Sequence, residues 1–449
     1  MDVRRIAAII GAAALLFVLP SCSDSPERNS PATYCETSEL QEPPETESLP
    51  GIKYRETSVK VEYRTPLEEL GIDEGTAETI AEYFRVYYQS LGSCEAGDIS
   101  SLYSFDTDYE RRLAETMIDY QILIRRNMDI DLSFGECSVG LTFLEYLPSE
   151  RTAEVKLYVN HSEKYAFAGD IASYTSGVEH VFRLERAQTG WYIISHSEIS
   201  GVYSLISEKF DLICKEKRLT LSTMTANQLS SVFSALNEQL VKENDEGLSL
   251  LYEQKSEYNS SKKSFEPKKT ADNPYDANSA VEYSYEWAGK ADMKRNPAYP
   301  EYDNYGGNCN NFTSQCICAG GIPMDYRGDI YNQWKYYGPV VSGYNRAYGR
   351  SMSWAGVEEF YNYCSTNDGF GMVTEITDNV YCARPGDIVQ YVDGGRGVHS
   401  AIVSRVVYDD NGDVAELLIN SNTTDKVDSP MSIYGYTRFR LIRIIGWNN

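Results

Sequence analysis

The chain has 449 residues, 42% of them hydrophobic, and a formal net charge of −25. That length allows two or three domains and that apolar content excludes a wholly disordered protein. The negative balance excludes nucleic acid as the main partner, because phosphate binding needs clustered Lys and Arg.

Arg4 and Arg5 precede an apolar run of 14 residues, Ile6 to Leu19, which suits the core of a signal peptide and is too short to span a bilayer. The run ends in Leu19-Pro20-Ser21-Cys22, which resembles a bacterial lipobox, a small residue before a lipidated cysteine. Residues 1–22 are therefore expected to be a lipoprotein signal peptide with its lipobox cysteine. Lipidated Cys22 would hold an extracytoplasmic protein on the bacterial cell membrane, each buried CH₂ of the lipid contributing about 0.8 kcal/mol. Residues 23–50, dominated by Ser, Pro, Thr and Glu, read as a disordered tether. With Cys22 set aside, nine of the ten cysteines remain. Disulfides are permitted in such a compartment, and the odd count leaves at least one free thiol.

Residues 51–250 read as a separate α+β domain. Thr76–Leu91 has helical periodicity, with Ile80, Phe84, Tyr87 and Leu91 on one stripe, and Tyr109–Arg126 is a second helix. Strand-like runs follow at Gly140–Tyr146, Ala153–Val159, Val178–Leu184 and Trp191–Ser195, the last two joined by a turn at Gln188–Gly190. Helices at Tyr203–Lys215 and Thr225–Lys242 close the segment. Helices first and a curved antiparallel sheet after resemble the cone-shaped nuclear transport factor 2-like and SnoaL-like domains. His161, His180 and His196 share no catalytic spacing and read as ordinary strand or surface histidines. Residues 251–272 read as a linker.

Residues 273–449 carry the chemistry. In Tyr305-Gly-Gly-Asn308-Cys309-Asn-Asn-Phe312-Thr-Ser-Gln315-Cys316-Ile-Cys318-Ala319-Gly320-Gly321 the first two glycines permit a turn and Asn308 is a candidate N-cap. A helix from Cys309 to Ala319 would be stopped by Gly320 and Gly321, with Cys309, Phe312, Cys316 and Ala319 on one stripe. A sulfur in the first turn meets about half a positive charge and unpaired N–H groups, which favour a thiolate nucleophile. Cys316 and Cys318 have no second pair, so no metal site and no cofactor are expected.

His399 is the sole histidine after His196. It lies in an alternating strand, Gly397–Val403, behind the strand Arg384–Tyr391, whose Asp387 reads as a turn residue. The Asp410-Asn411-Gly412-Asp413 turn returns the chain along Ala415–Thr423. A two-residue turn at Asn411-Gly412 sets Asn422 opposite Ala401, diagonal to His399 on one face. Asn422 is thus the first candidate to orient the imidazole and Asn420 the second. Cysteine, histidine on a strand and amide on the next strand follow the order of a Cys-His-Asn triad.

Asn296-Pro-Ala-Tyr299, Asn308-Cys309-Asn-Asn-Phe312-Thr-Ser-Gln315, Ala319-Gly-Gly321, Ser353-Trp354, Gly386-Asp387 and His399-Ser400 occur in order. Together they resemble the putative amidase domain family, which is similar to the CHAP and NlpC-type cell-wall peptidases. The resemblance implies a papain-like fold, a cysteine amidase or endopeptidase, and a peptidoglycan peptide or other peptide amide as substrate, in a monomer. Asn308 departs from the family's usual Asp, and Asn422 from a frequent His. The alternative is a non-catalytic cell-surface binding or adhesion module on the same fold.

Overall fold

A computed structural model describes residues 51–198, 201–303, 307–338, 349–436 and 438–449. Cys22, the tether and the Tyr305-Gly306 half of the turn before Cys309 lie outside the described residues. In chain order the elements are β1 (Ser58–Tyr63), α1 (Leu67–Leu70), α2 (Glu74–Ser93), α3 (Asp108–Asn127), β2 (Glu136–Pro148), β3 (Thr152–Glu163), β4 (Ser173–Ala187), β5 (Gly190–Glu198), α4 (Val202–Glu216) and α5 (Ala226–Ser260). Then come β6 (Asn273–Pro274), α6 (Ala277–Trp287), α7 (Cys309–Ala319), α8 (Met352–Ala355), α9 (Val357–Thr366), β7 (Gly371–Thr377), β8 (Ile388–Asp393), β9 (Arg396–Tyr408), β10 (Val414–Ser421), β11 (Asp425–Pro430) and β12 (Phe439–Asn448). The fold mixes helices with a large, mostly antiparallel sheet. No helix among the described residues is long and apolar enough to cross a membrane.

The expected helices of the first half form where the periodicity puts them. The stripe Ile80, Phe84, Tyr87 and Leu91 is buried on α2, and Asp73 caps that helix by accepting from Thr76 N at 3.2 Å. The strand-like runs become β2 to β5, each a few residues longer than expected. β1 runs parallel to β2, and the other pairings are antiparallel.

One long strand joins the two halves. β4 pairs with β5 through His180–Ala187, while Tyr174–Ser176 pair with Asp425–Val427 of β11. The sheet therefore runs β1-β2-β3-β4-β11-β10-β9-β8-β12-β6, with β5 on β4 and β7 on β12. The expected linker at 251–272 is a correction. Helix α5 continues to Ser260, because Leu251 is buried in a cluster with Tyr391 and Val403, and Tyr258 and Phe265 pack against it. Lys255 Nζ donates to Ala415 O at 3.1 Å, and Asn379 Nδ2 to Gln254 O at 2.8 Å.

Alternate residues of β8 and β9 serve two cores, as the pleat requires. Ile388 and Ile402 pack with Phe312 and Cys316 of α7. Val389, Tyr391, Ala401 and Val403 pack on the other face, toward the end of α5.

Candidate active site

Helix α7 spans Cys309–Ala319, as its sequence predicts, and ends with Gly320 N on Cys316 O at 3.0 Å and Gly321 at φ +88°. Two expectations about it are corrected. Every side chain from Cys309 to Ile317 is buried while Ala319 is exposed, so the helix is an enclosed rod and not a striped one. Asn308 sits at the N-cap position but its side chain does not cap. Its Oδ1 accepts from Tyr302 N at 3.2 Å and Asn311 Nδ2 at 2.8 Å, and its backbone N–H donates to Thr423 Oγ1 at 2.7 Å. Asn308 thus pins the approach to the helix against the β10–β11 turn.

The polar residues of the motif hold α7 in place from all sides. Asn310 Nδ2 donates to Ser353 O at 3.1 Å, and its Oδ1 accepts from Ser400 Oγ at 2.9 Å. Asn311 Oδ1 accepts from Trp354 Nε1 at 2.7 Å, and Ser314 Oγ donates to Trp354 O at 2.7 Å. Gln315 accepts from Tyr283 OH at 2.8 Å, which in turn accepts from Asn296 Nδ2 at 2.8 Å. Tyr299 stacks on Trp354 with ring centroids 5.9 Å apart. Asp387 is a turn residue, its carboxylate accepting from Arg384 N at 2.9 Å and Ile444 N at 3.0 Å.

The thiol of Cys309 faces β9, the strand that carries His399. The N–H groups of Ser400, Asn310 and Cys309 itself face the sulfur and favour its ionised form, yet burial outweighs them and raises the thiol pKa. Cys309 is 6% exposed. This reverses the expectation of a thiolate held by the helix start, because desolvation disfavours the charged form more than three dipoles favour it. β10 ends at Ser421 and its pairing with β9 at Asn420–Ile402. The sulfur receives the N–H of Ser400 just past that point. His399, the preceding residue, pairs with Tyr391, and its ring lies 5.5 Å from the Tyr391 ring. That puts the imidazole beside the Tyr391 ring, at the strand position next to the one whose N–H meets the sulfur. Its Nε2 is buried without a hydrogen-bond partner, and no hydrogen bond joins it to Cys309. Burial, and secondly Lys426, push the His399 pKa down to about 3.

Neither expected amide reaches the ring. Asn422 Nδ2 donates to Trp287 O at 3.2 Å and Asp425 Oδ1 at 3.1 Å, and its Oδ1 accepts from Asn308 Nδ2 at 3.3 Å. Asn420 bonds to Ser284 Oγ and Asp428 N, both at 2.8 Å. The cause is a bulge. The expected register holds for Glu416–Val407 through Leu418–Arg405, then slips so that Ile419 faces Val403 and Asn420 faces Ile402. A slip of one residue turns the following side chains to the other face. Asn420 and Asn422 therefore bond to α6 and to the approach of α7, and neither is hydrogen-bonded to the His399 ring.

Lys426 is a charged neighbour of Cys309 and His399 that the sequence reading missed. It projects from β11 with Nζ 4.1 Å from the centre of the Tyr434 ring. Burial pushes its pKa down to about 8, against the pull of Glu198, Cys309 and Asp425. No spacing flags it, because a cross-sheet pairing with β4 brings it there. All eight described cysteines are free thiols. One described group could hold a metal ion: Cys137, His161 and Glu163, with ligand atoms within 4.8 Å of one another. Glu163 there already accepts from His161 at 2.8 Å and Tyr165 at 2.9 Å. The three early histidines are strand residues, but they face inward: His180 and His196 are buried and hydrogen-bonded to each other at 3.0 Å.

Comparison with known proteins bears on this arrangement. The family model described as a putative amidase domain matches residues 274–445, from β6 through most of β12. Residues 274–445 belong to that family. The match makes this amidase domain, at the coarse level, a hydrolase-type domain. A stretch of 164 residues is 33% identical to "Uncharacterized protein YhbB" of Bacillus subtilis (strain 168), covering 36% of this chain and 45% of that protein. The chain thus spans less than half the length of that curated relative. No solved structure matches the chain significantly. All the motif residues that hold α7, from Asn296 to Trp354, lie inside the amidase domain, as do Cys309, His399 and Lys426.

Proposed function

We propose that the amidase domain is a papain-like cysteine hydrolase that cleaves a peptide amide, with Cys309 as nucleophile and His399 as base. The observation that supports it best is the sulfur at the first residue of α7 against the N–H of Ser400, directly after His399 in β9. In this reading the thiol proton passes to the unpartnered Nε2 of His399, and sulfur bonds to the carbonyl carbon. The N–H groups at the helix start and at Ser400 then face the developing oxyanion. The imidazolium gives its proton to the leaving amine, the C–N bond breaks, and water releases the acid from the acyl-enzyme. The nuclear transport factor 2-like reading of residues 51–250 and a peptidoglycan peptide as substrate belong to the same proposal.

One observation favours the second reading, a binding module without turnover: burial raises the pKa of the thiol and lowers that of the imidazole, and no hydrogen bond joins the two. Alkylation with iodoacetamide separates the two. A neutral, buried thiol should react more readily as pH rises, because its raised pKa leaves the reactive thiolate scarce at neutral pH. In an enzyme Cys309 reacts faster than the more exposed Cys318, and His399→Ala slows it at neutral pH roughly tenfold or more. Equal rates at both cysteines, unchanged in His399→Ala, would favour the binding module.

The anchoring proposal rests on the Leu19-Pro20-Ser21-Cys22 ending. Cys22→Ser should move the chain from the membrane pellet to the soluble fraction of lysed cells. Its continued sedimentation with membranes after signal cleavage would refute lipid attachment.

A further inference from the structure

The cluster of Cys137, His161 and Glu163 is built by strand pairing in the first half of the chain. Cys137 of β2 and Glu163 of β3 are direct cross-strand partners, and His161, opposite Val139, stands one diagonal from Cys137. Alternate residues of a strand share a face, so His161 and Glu163 project to the side that Cys137 occupies. That side is the interior: Cys137 is 2% and Glu163 5% exposed.

The ligand atoms converge on one oxygen. Glu163 Oε2 lies 2.8 Å from His161 Nδ1 and 4.0 Å from Cys137 Sγ, and all three atoms are within 4.8 Å of one another. Around a tetrahedral zinc ion, with bonds of about 2.0–2.3 Å, ligand atoms stand about 3.3–3.6 Å apart. Side-chain shifts of about 1 Å bring this set onto that shell. The other carboxylate oxygen, Oε1, accepts from Tyr165 OH at 2.9 Å, which leaves Oε2 to the thiol and the imidazole. The Tyr88 ring lies 4.8 Å from the His161 ring. Contacts of this kind orient metal ligands. The thiol itself has only long contacts, to Ser138 O and Glu163 Oε2, both at 4.0 Å. A buried His-Glu pair alone leaves unexplained a sulfur aimed at the oxygen that the imidazole already uses.

The surroundings offer a fourth ligand and an entry. His161 and Glu163 line a cavity of about 90 Å³, which has room for a few water molecules. The His161 side chain is 16% exposed, so an ion can reach the cluster from that side. Arg125 lines the same cavity, and a bare dication would be repelled by its guanidinium. One thiolate and one carboxylate cancel the two charges of the ion, so the completed centre is neutral and is spared that repulsion.

We propose that Cys137, His161 and Glu163 bind a zinc-type divalent ion, with a water of the cavity as its fourth ligand. Sulfur, nitrogen and carboxylate together select zinc over magnesium and calcium, which take oxygen shells. On binding, the Cys137 S–H bond breaks, its proton passes to solvent and the sulfur–metal bond forms, with no change of oxidation state. Three protein ligands and one water keep an exchangeable position on the metal. The site lies apart from Cys309 and does not depend on the hydrolase reading.

The test uses the full-length chain in detergent, reduced and stripped with a chelator, and titrates it with Co²⁺ and then Zn²⁺. A single Co²⁺ per chain should give the visible bands of tetrahedral cobalt and a sulfur-to-cobalt charge-transfer band. Zn²⁺ should erase both, and a large excess of Mg²⁺ should leave them. Cys137→Ser should lose the charge-transfer band and weaken zinc binding by about tenfold or more. His161→Gln, at a partly exposed position, should weaken it similarly and keeps the test usable if the cysteine variant does not fold. Cys309→Ala should take up the ion unchanged. Absence of a tetrahedral cobalt spectrum in the folded wild-type chain, or a charge-transfer band intact in a folded Cys137→Ser chain, would overturn the site. Loss of the band in Cys309→Ala would assign the ion to the other thiol and overturn it equally.

Discussion

Cys309→Ala should abolish amide cleavage, by roughly 10³-fold or more, while leaving the fold standing. The reason is chemical. Without sulfur no acyl-enzyme forms, and nothing else at the start of α7 can attack a carbonyl: Asn310 and Asn311 are occupied holding Trp354 and Ser400. The structural cost is small. Sulfur is replaced by a methyl hydrogen, and the helix is fixed by contacts that do not involve it, so the loss of stability should stay near 1 kcal/mol. Mass spectrometry of muropeptides after incubation with the wild-type and variant chains gives the comparison, with thermal unfolding as the control. Cleavage at an undiminished rate by the variant would remove Cys309 from the mechanism. No products from either chain would leave the binding reading standing.

What could be read from the sequence divides by the range of the interactions involved. The bounds of helix α7 were legible: Gly-Gly at its end is a local signal acting within one turn, whereas its start was placed correctly although Asn308 does not cap it. The buried stripe of α2 was legible for the same reason. The function of the motif around Cys309 was legible only as chemistry. That Asn310, Asn311, Ser314 and Gln315 act as fasteners for an enclosed helix depends on Trp354 and Tyr283, which are remote in the chain. The third member of the triad was misplaced by one residue of register. A bulge between Leu418 and Ile419 carries no signature in an unbroken apolar run, and it is sufficient to move both amides across the sheet. The state of the thiol was misjudged because a dipole is visible in a sequence and burial is not. The continuity of the sheet through β4 and β11 was invisible. Both segments are mixed polar strands, and their pairing joins residues some 250 apart.

The largest effect on stability should come from Asp425→Ala. Asp425 is fully buried and gathers four donors: Arg295 Nη1 at 2.6 Å, Gly289 N at 2.9 Å, Lys294 N at 2.8 Å and Asn422 Nδ2 at 3.1 Å. Truncation removes an acceptor from all four and strips the N–H groups of Gly289 and Lys294 of the partner they have here. The largely buried guanidinium of Arg295 would retain Asp303, at 3.0 Å, and the more distant, exposed Glu301, at 3.9 Å, as counter-ions. Breaking one side of such a pair costs about 3–5 kcal/mol, whereas replacing both partners by apolar residues of similar volume is often neutral. Urea unfolding of Asp425→Ala, Arg295→Met and the double variant Arg295→Met/Asp425→Leu should therefore show a double variant more stable than Asp425→Ala. A loss below about 1 kcal/mol in Asp425→Ala would mean that water replaces the carboxylate and the network is not structural. The same variant should lower turnover in chains that remain folded. Arg295 also donates to Thr423 O at 3.2 Å, and Thr423 receives the N–H of Asn308. The ion pair therefore reaches Cys309 through two residues, fixing where the sulfur stands relative to Ser400 and His399.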